Sequence, residues 1–286
     1  MEWIRWQKSP WGQEVLLGLA WDVAMLALAA GVLFALGHAL LSLRAPRKPA
    51  ADGSGEPATV LARLPARILR HTLAARSFHW VMALSVLTLL LTAFLPIVGV
   101  KFSWVTPHWI AGVVLTGAVL FHLAHTTFWK GWRPMWIGRA DVRATLAGLR
   151  QIVDPRAPDP PKAGKNPVEN KLFHHGAALA TLAATVTGLI MLAKIDTPWW
   201  ARNPYLLSED AWGLIYLVHG AGSVALIALA IVHLYFAARP DKRWITAAML
   251  RGWIARERYL ERHDPSLWPP VAAPDTARGT PQRGRP

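Results

Sequence analysis

Five apolar runs, each long enough to cross a bilayer, constrain this chain more than any other feature. They are roughly Val15–Leu43, Phe78–Leu95, His108–Phe128, Leu172–Ala193 and Trp212–Ala237. A spanning helix needs about 20 predominantly apolar residues. Hydrocarbon offers no water to backbone N–H and C=O groups, so a spanning segment must satisfy them within itself, as a helix does. The expected fold is therefore all-α, an integral membrane bundle of five transmembrane helices. Small residues inside the runs, Gly112, Gly117, Gly188, Gly220 and Gly222, allow helices or a flat cofactor to approach closely.

The charges lie between the runs. The 286 residues are 53% hydrophobic and only 17% charged, yet the formal net charge is +14. Segment 44–75 carries Arg44, Arg47, Lys48, Arg63, Arg67 and Arg70; segment 130–171 has nine basic residues and the tail from Ala238 has ten. The alternate segments are sparse, with Arg5 and Lys8 at the start, Lys101 in the second connector and Arg202 in the fourth. The positive-inside rule places the N-terminus outside and the tail in the cytoplasm, and five spans require those ends to be on opposite sides. This confinement of Lys and Arg to connectors argues against nucleic-acid binding and for contact with membrane lipid. Trp residues cluster at the ends of the runs (Trp3, Trp6, Trp11, Trp104, Trp109, Trp129, Trp132, Trp136, Trp199, Trp200, Trp212), as an interfacial aromatic belt requires. The first run is too long for a signal peptide and lacks a small-residue cleavage site, so it reads as a retained span.

These patterns suggest four regions. Residues 1–44 hold an outer N-terminus and an additional span, 45–75 form a basic cytoplasmic linker, 76–237 form a compact four-helix core, and 238–286 form a basic cytoplasmic tail. The stretch Ala45–Pro57 and the tail from Pro265, rich in Pro, Gly and Arg, read as flexible. The linker sets the first span apart from the core. Cysteine is absent, which excludes disulfides, thiolate-held iron–sulfur clusters and covalent c-type haem in this chain.

Histidine carries the chemistry. His219 and His233 lie 14 positions apart in the last run, and His108 and His122 repeat that spacing in the third. At 100° per residue, 14 residues fall about 40° short of four turns, and at 1.5 Å rise they span about 21 Å. Each pair therefore projects from nearly one helix face, one member near each end of the span. His79 opens the second run at the cytoplasmic side. The outer level has two candidates, His108 and His219; the inner level has three, His79, His122 and His233. A neutral imidazole binds iron without burying a net charge, and bis-histidine ligation suits electron transfer. The pattern points to two non-covalent b-type haems, one per leaflet, with one inner histidine to spare. Ionisable residues within a membrane are rare and mark function. Asp22 and His38 in the first run read as helix-end or packing groups.

Ordered motifs extend this reading. Arg76–Trp80 (RSFHW), His108-Trp109-Ile110-Ala111-Gly112, Lys165–Lys171 (KNPVENK), Thr187-Gly188 and the pair His219/His233 together resemble the diheme cytochrome b subunits of respiratory formate dehydrogenases (their gamma subunits) and nickel–iron hydrogenases. The resemblance covers about residues 70–240. It implies that His79 and His233 hold the inner haem and His108 and His219 the outer, leaving His122 as a neighbour or a quinone-side group. The chain departs from the family pattern at Pro167 and Asn170, where Asn and Gln would stand, and in its additional first span.

The resemblance also implies a function. A periplasmic iron–sulfur subunit, bound to a molybdenum, tungsten or nickel–iron catalytic subunit, would exchange electrons with this chain. A quinone, menaquinone or ubiquinone, would bind near the cytoplasmic face beside Asn166, Asn170, Lys171, His174 and His175. Arg70 and Arg76 would be available to haem propionates. The expected location is the bacterial inner membrane. A stand-alone quinol-linked diheme cytochrome serving a soluble carrier or small oxidant, and a membrane anchor without cofactor, are the alternatives.

Overall fold

A computed structural model of the chain describes residues 3–44, 64–154, 156–158 and 160–274. The elements run β1 (Ile4–Lys8), β2 (Glu14–Leu19), α1 (Trp21–Arg44), β3 (Arg67–Leu69), α2 (Leu73–Ile97) and α3 (Val105–His125), then α4 (Arg139–Val153), α5 (Val168–Met191), α6 (Glu209–Ala238), α7 (Arg243–Arg251), β4 (Trp253–Ala255) and α8 (Arg256–Arg262). A π-helical turn, Thr126–Lys130, extends α3. Helices α1, α2, α3, α5 and α6 are long and apolar enough to cross a membrane. The chain divides into two compact units, one made of Met1–Pro46, Ser77–Trp136 and Glu169–Ala237, the other of Arg47–Arg76, Ile137–Val168 and Ala238–Pro286.

The first unit is apolar on its outside. Leu33, Leu41, Leu84 and Leu179 are each exposed by two thirds or more, as lipid contact requires. Many of its buried positions are small or hydroxylic, Ala111, Ala118, Ala180, Ser85, Thr92, Thr181 and Thr187 among them, beside the larger Leu115 and Trp212. Helices in lipid gain little from burying large side chains against one another, so they associate through close backbone approach and polar contacts.

The first span begins later than its hydropathy suggests. Glu14–Leu19 is not the start of a helix but a strand, paired antiparallel with Ile4–Lys8 and bulged between Arg5 and Trp6. A short apolar run cannot be told from a helix start by periodicity. The hairpin turns at Ser9, whose Oγ accepts from the Trp11 and Gln13 amides. It seats on α6, where a side chain at Gly213 would collide with the Leu16 carbonyl. Helix α1 is not set apart either. Gly31 lies against Ile231, and His38 Nδ1 and Tyr235 OH are 2.8 Å apart. The packing role expected of His38 is what the structure shows.

The second unit has a small core of a different kind: Ile68, Ala248, Ile254, Tyr259, Leu260 and Trp268. Strands β3 and β4 pair antiparallel, Ile68 opposite Ile254. Gly252, at φ +90°, caps α7 in the left-handed region, and its carbonyl accepts from the Arg70 and His71 amides. Within the tail expected to be flexible from Pro265, the described residues 265–274 pack onto this core. The Leu69 amide donates to Val271, the Ala273 amide to Arg67, and Trp268 is buried and accepts from the Tyr259 hydroxyl. One aromatic anchor outweighs the Pro-rich composition around it. The flexible stretch expected at 45–57 lies outside the described residues.

Candidate functional site: facing histidine pairs in the bundle

The site is built from four helices of the first unit. It has two levels, an upper one where α3 and α6 begin and a lower one where they end. Helix α3 supplies His108 to the upper level and His122 to the lower; α6 supplies His219 and His233 in the same order. Helices α2 and α5 add His79 and His174 to the lower level.

The rings face each other in pairs. His108 and His219 have ring centres 6.3 Å apart with planes at 63°. His79 and His233 are 6.2 Å apart at 56°. A metal–imidazole bond of about 2.0 Å, with the ring nitrogen about 1.1 Å from its ring centre, puts two trans imidazoles about 6 Å apart. Both pairs have the spacing of axial ligands to one ion. Among the described residues no group of three or more His, Cys, Asp or Glu could hold a metal. An ion at either pair must bring its other ligands with it, as iron in a macrocycle does.

At the upper level the hydrogen bonds set the tautomer. Thr92 on α2 is buried, and its hydroxyl donates to the Thr88 carbonyl at 2.7 Å. A hydroxyl has one proton, so toward His108 Nδ1, 2.8 Å away, Thr92 Oγ1 accepts. Thr187 on α5 repeats the arrangement, donating to the Ala183 carbonyl at 2.5 Å and accepting from His219 Nδ1 at 3.1 Å. His219 Nδ1 also donates to the Ala184 carbonyl at 3.0 Å. Leaving such a buried group unpaired would cost about 1–3 kcal/mol. With both Nδ1 atoms protonated and engaged, each Nε2 lone pair is left for a metal.

Space is available between those rings. An apolar cavity of about 200 Å³ is lined by His108, His219, Gly112, Gly188, Leu89 and Leu226 among others. A Cβ at Gly188 would stand 3.2 Å from His219 Cε1, so glycine there keeps the ring's flank clear.

The lower level is more crowded. His79 packs edge-on against Trp80, and Phe173 stacks on His233 at 5.3 Å. The ring facing His233 is His79. His122 instead stacks on Phe78 at 4.4 Å and faces His174 at 6.0 Å. Of the other quinone-side candidates, Lys171 Nζ donates to the Trp136 carbonyl and the His175 ring to Met135, so both brace the turn after α3. Asn170 is exposed. Asn166 and Arg76 belong to the second unit, where an Arg76 Nη donates to the Leu250 carbonyl. Arg70 is 4% exposed there, with its guanidinium between the Trp244 and Trp268 rings and on the Lys165 carbonyl. Its role in the fold is that of a core residue of this unit.

Sequence reasoning missed Thr92 as a partner of His108. Its only signal is depth, since Thr92 lies near one end of α2 and His108 at the start of α3.

Residues 70–252, about two thirds of the chain, match the family described as prokaryotic cytochrome b561. The chain belongs to that family. A search among curated proteins finds no match. This cytochrome b561-family protein is a multi-pass bacterial membrane protein, a haem-b-binding cytochrome of electron transfer. Its matched region takes in α2, α3, α5 and α6 with every paired histidine; the hairpin and α1 lie outside it. The facing imidazoles, their tautomer and the apolar cavity fit haem b.

Proposed function

We propose that this chain is the diheme membrane subunit that passes electrons between a periplasmic oxidoreductase, through its iron–sulfur subunit, and the membrane quinone pool. The observation that carries the proposal is the stacking of two facing imidazole pairs along α6, 14 residues and so about 21 Å apart. Two redox centres at that separation along one helix reach most of the way across a hydrocarbon core of about 30 Å.

His108 and His219 would hold the upper haem, and His79 and His233 the lower. Haem b held there by two imidazoles would supply one-electron exchange. Thr92 and Thr187 hold the upper rings. Leu89, Leu226 and the other apolar walls would keep water away from a group held between the upper rings. The basic segments support a cytoplasmic lower level and a periplasmic N-terminus. On the lower side His122, His174 and Asn170, which carry donors and acceptors no paired iron needs, are offered to a quinone. His174 lies about one turn from Asn170 on α5, and His175 one residue beyond it. The exposed Trp199 and Tyr205, between α5 and α6, offer a docking surface to the periplasmic subunit.

Purification under mild detergent tests this reading. The expected product has two haems b per chain, both low-spin, and co-purifies with an iron–sulfur subunit. A diheme chain that is active alone with a soluble carrier would replace the subunit reading with that of a stand-alone quinol-linked cytochrome. A colourless chain would overturn both.

A further inference from the structure

The upper and lower histidines differ in what holds their second ring nitrogen. At the upper level both Nδ1 atoms are occupied, and in the same way on two helices. Thr92 bonds the carbonyls three and four residues before it, Leu89 and Thr88, and Thr187 bonds Ala184 and Ala183. In each case the threonine hydroxyl accepts from the imidazole, while the carbonyl three residues before it also lies within the ring's hydrogen-bonding reach. At the lower level neither His79 nor His233 has a hydrogen-bond partner among the described residues; their neighbours are the rings of Trp80 and Phe173.

A hydrogen bond accepted from Nδ1–H makes an imidazole a more basic ligand, and a more basic ligand favours the oxidised metal. We propose that Thr92 and Thr187 are positioning residues which lock the His108 and His219 rings and lower the reduction potential of the upper haem beneath that of the lower one. The proposal rests on the diheme reading and adds a direction to it. One electron leaves the upper iron and one arrives at the lower; no bond forms or breaks and no proton is needed. Transfer from upper to lower is then downhill, which suits a periplasmic donor and a quinone acceptor.

The test is a redox titration of the purified diheme protein, followed optically and by EPR. The upper haem is identified as the signal that His219→Ala removes. In the wild type the upper haem should be the harder to reduce. Thr92→Val and Thr187→Val keep the side-chain volume but remove the acceptor. Each should make the upper haem easier to reduce by up to roughly five-fold in the electron-sharing ratio between the haems, the scale of one hydrogen bond. The lower haem should not move, and Thr92→Ser should restore the wild-type value. The upper EPR signal should shift with the potential. A purely structural role would change stability or haem content but not a potential that serine restores. An upper haem that is easier to reduce than the lower in the wild type overturns the proposal. So do valine variants that keep both haems with unmoved potentials, or that move both equally. If valine costs the protein its upper haem, the wild-type order and the Thr→Ser titrations still decide. A wild-type chain without haem would instead overturn the diheme reading beneath it.

Discussion

At the upper level two helices supply two histidines, His108 and His219, each clamped by a threonine on a neighbouring helix. At the lower level all four helices of the matched core supply one, His79, His122, His174 and His233. They face in two pairs, with Phe78 stacked on His122 and Phe173 on His233. The contrast shows what residue spacing can decide. A 14-residue interval sets the depth of a side chain and the face it leaves from. It does not choose a partner where several candidates share that depth.

The largest expected effect separates the levels. His219→Ala should lose the upper haem and keep the lower, halving haem per chain by pyridine haemochrome assay; loss of both would mean that the levels do not assemble independently. Gly188→Leu comes next. A Cβ there already stands 3.2 Å from His219 Cε1, and a larger side chain enters the cavity. Upper haem occupancy should fall several-fold while the lower haem's spectrum stays as it was. Unchanged occupancy would place the upper haem elsewhere.

Two smaller effects concern the second unit. Trp268→Ala empties the centre of that unit's core and should cost it about 3–5 kcal/mol, read as a lower melting temperature. Both haems should still be bound in the cold. The smallest effect is a pH dependence. His263 Nδ1–H donates to the Gly164 carbonyl at 2.8 Å, and Nε2 faces the Arg70 guanidinium. Burial first, and then the charge of Arg70, push its pKa below the ordinary value. The unfolded chain, with a histidine pKa of about 6.5, then binds the proton more readily. The stability His263 contributes is complete above that pH and declines as the pH falls below it. In His263→Gln the loss between pH 7 and 5 should be shallower by about 1 kcal/mol or less, measured by chemical denaturation.

Much of this was legible in the sequence because the bilayer restricts what an apolar run can become. The five spans, their order and the upper histidine pair follow from hydropathy and from helix geometry. The hairpin did not, because Val15–Leu19 is apolar and continuous with the helix after it. The second unit did not either. Its core joins Ile68 to Ile254 and Trp268 across nearly 200 positions, and no local period records such a contact. Of the candidate site residues, the structure brings His79 to His233 and His108 to His219, and gives His122 a partner, His174, that spacing alone did not suggest. Lys171 and His175 hold backbone carbonyls, and Arg70 and Arg76 make their bonds within the second unit. Each answers to tertiary contacts that composition cannot show.

The lower level decides the account. His79→Ala and His122→Ala, purified side by side, should be compared for haem per chain and for low-spin EPR signals. One bis-histidine haem is expected in His79→Ala and two in His122→Ala. Two haems retained in His79→Ala, with one lost in His122→Ala, would contradict the account.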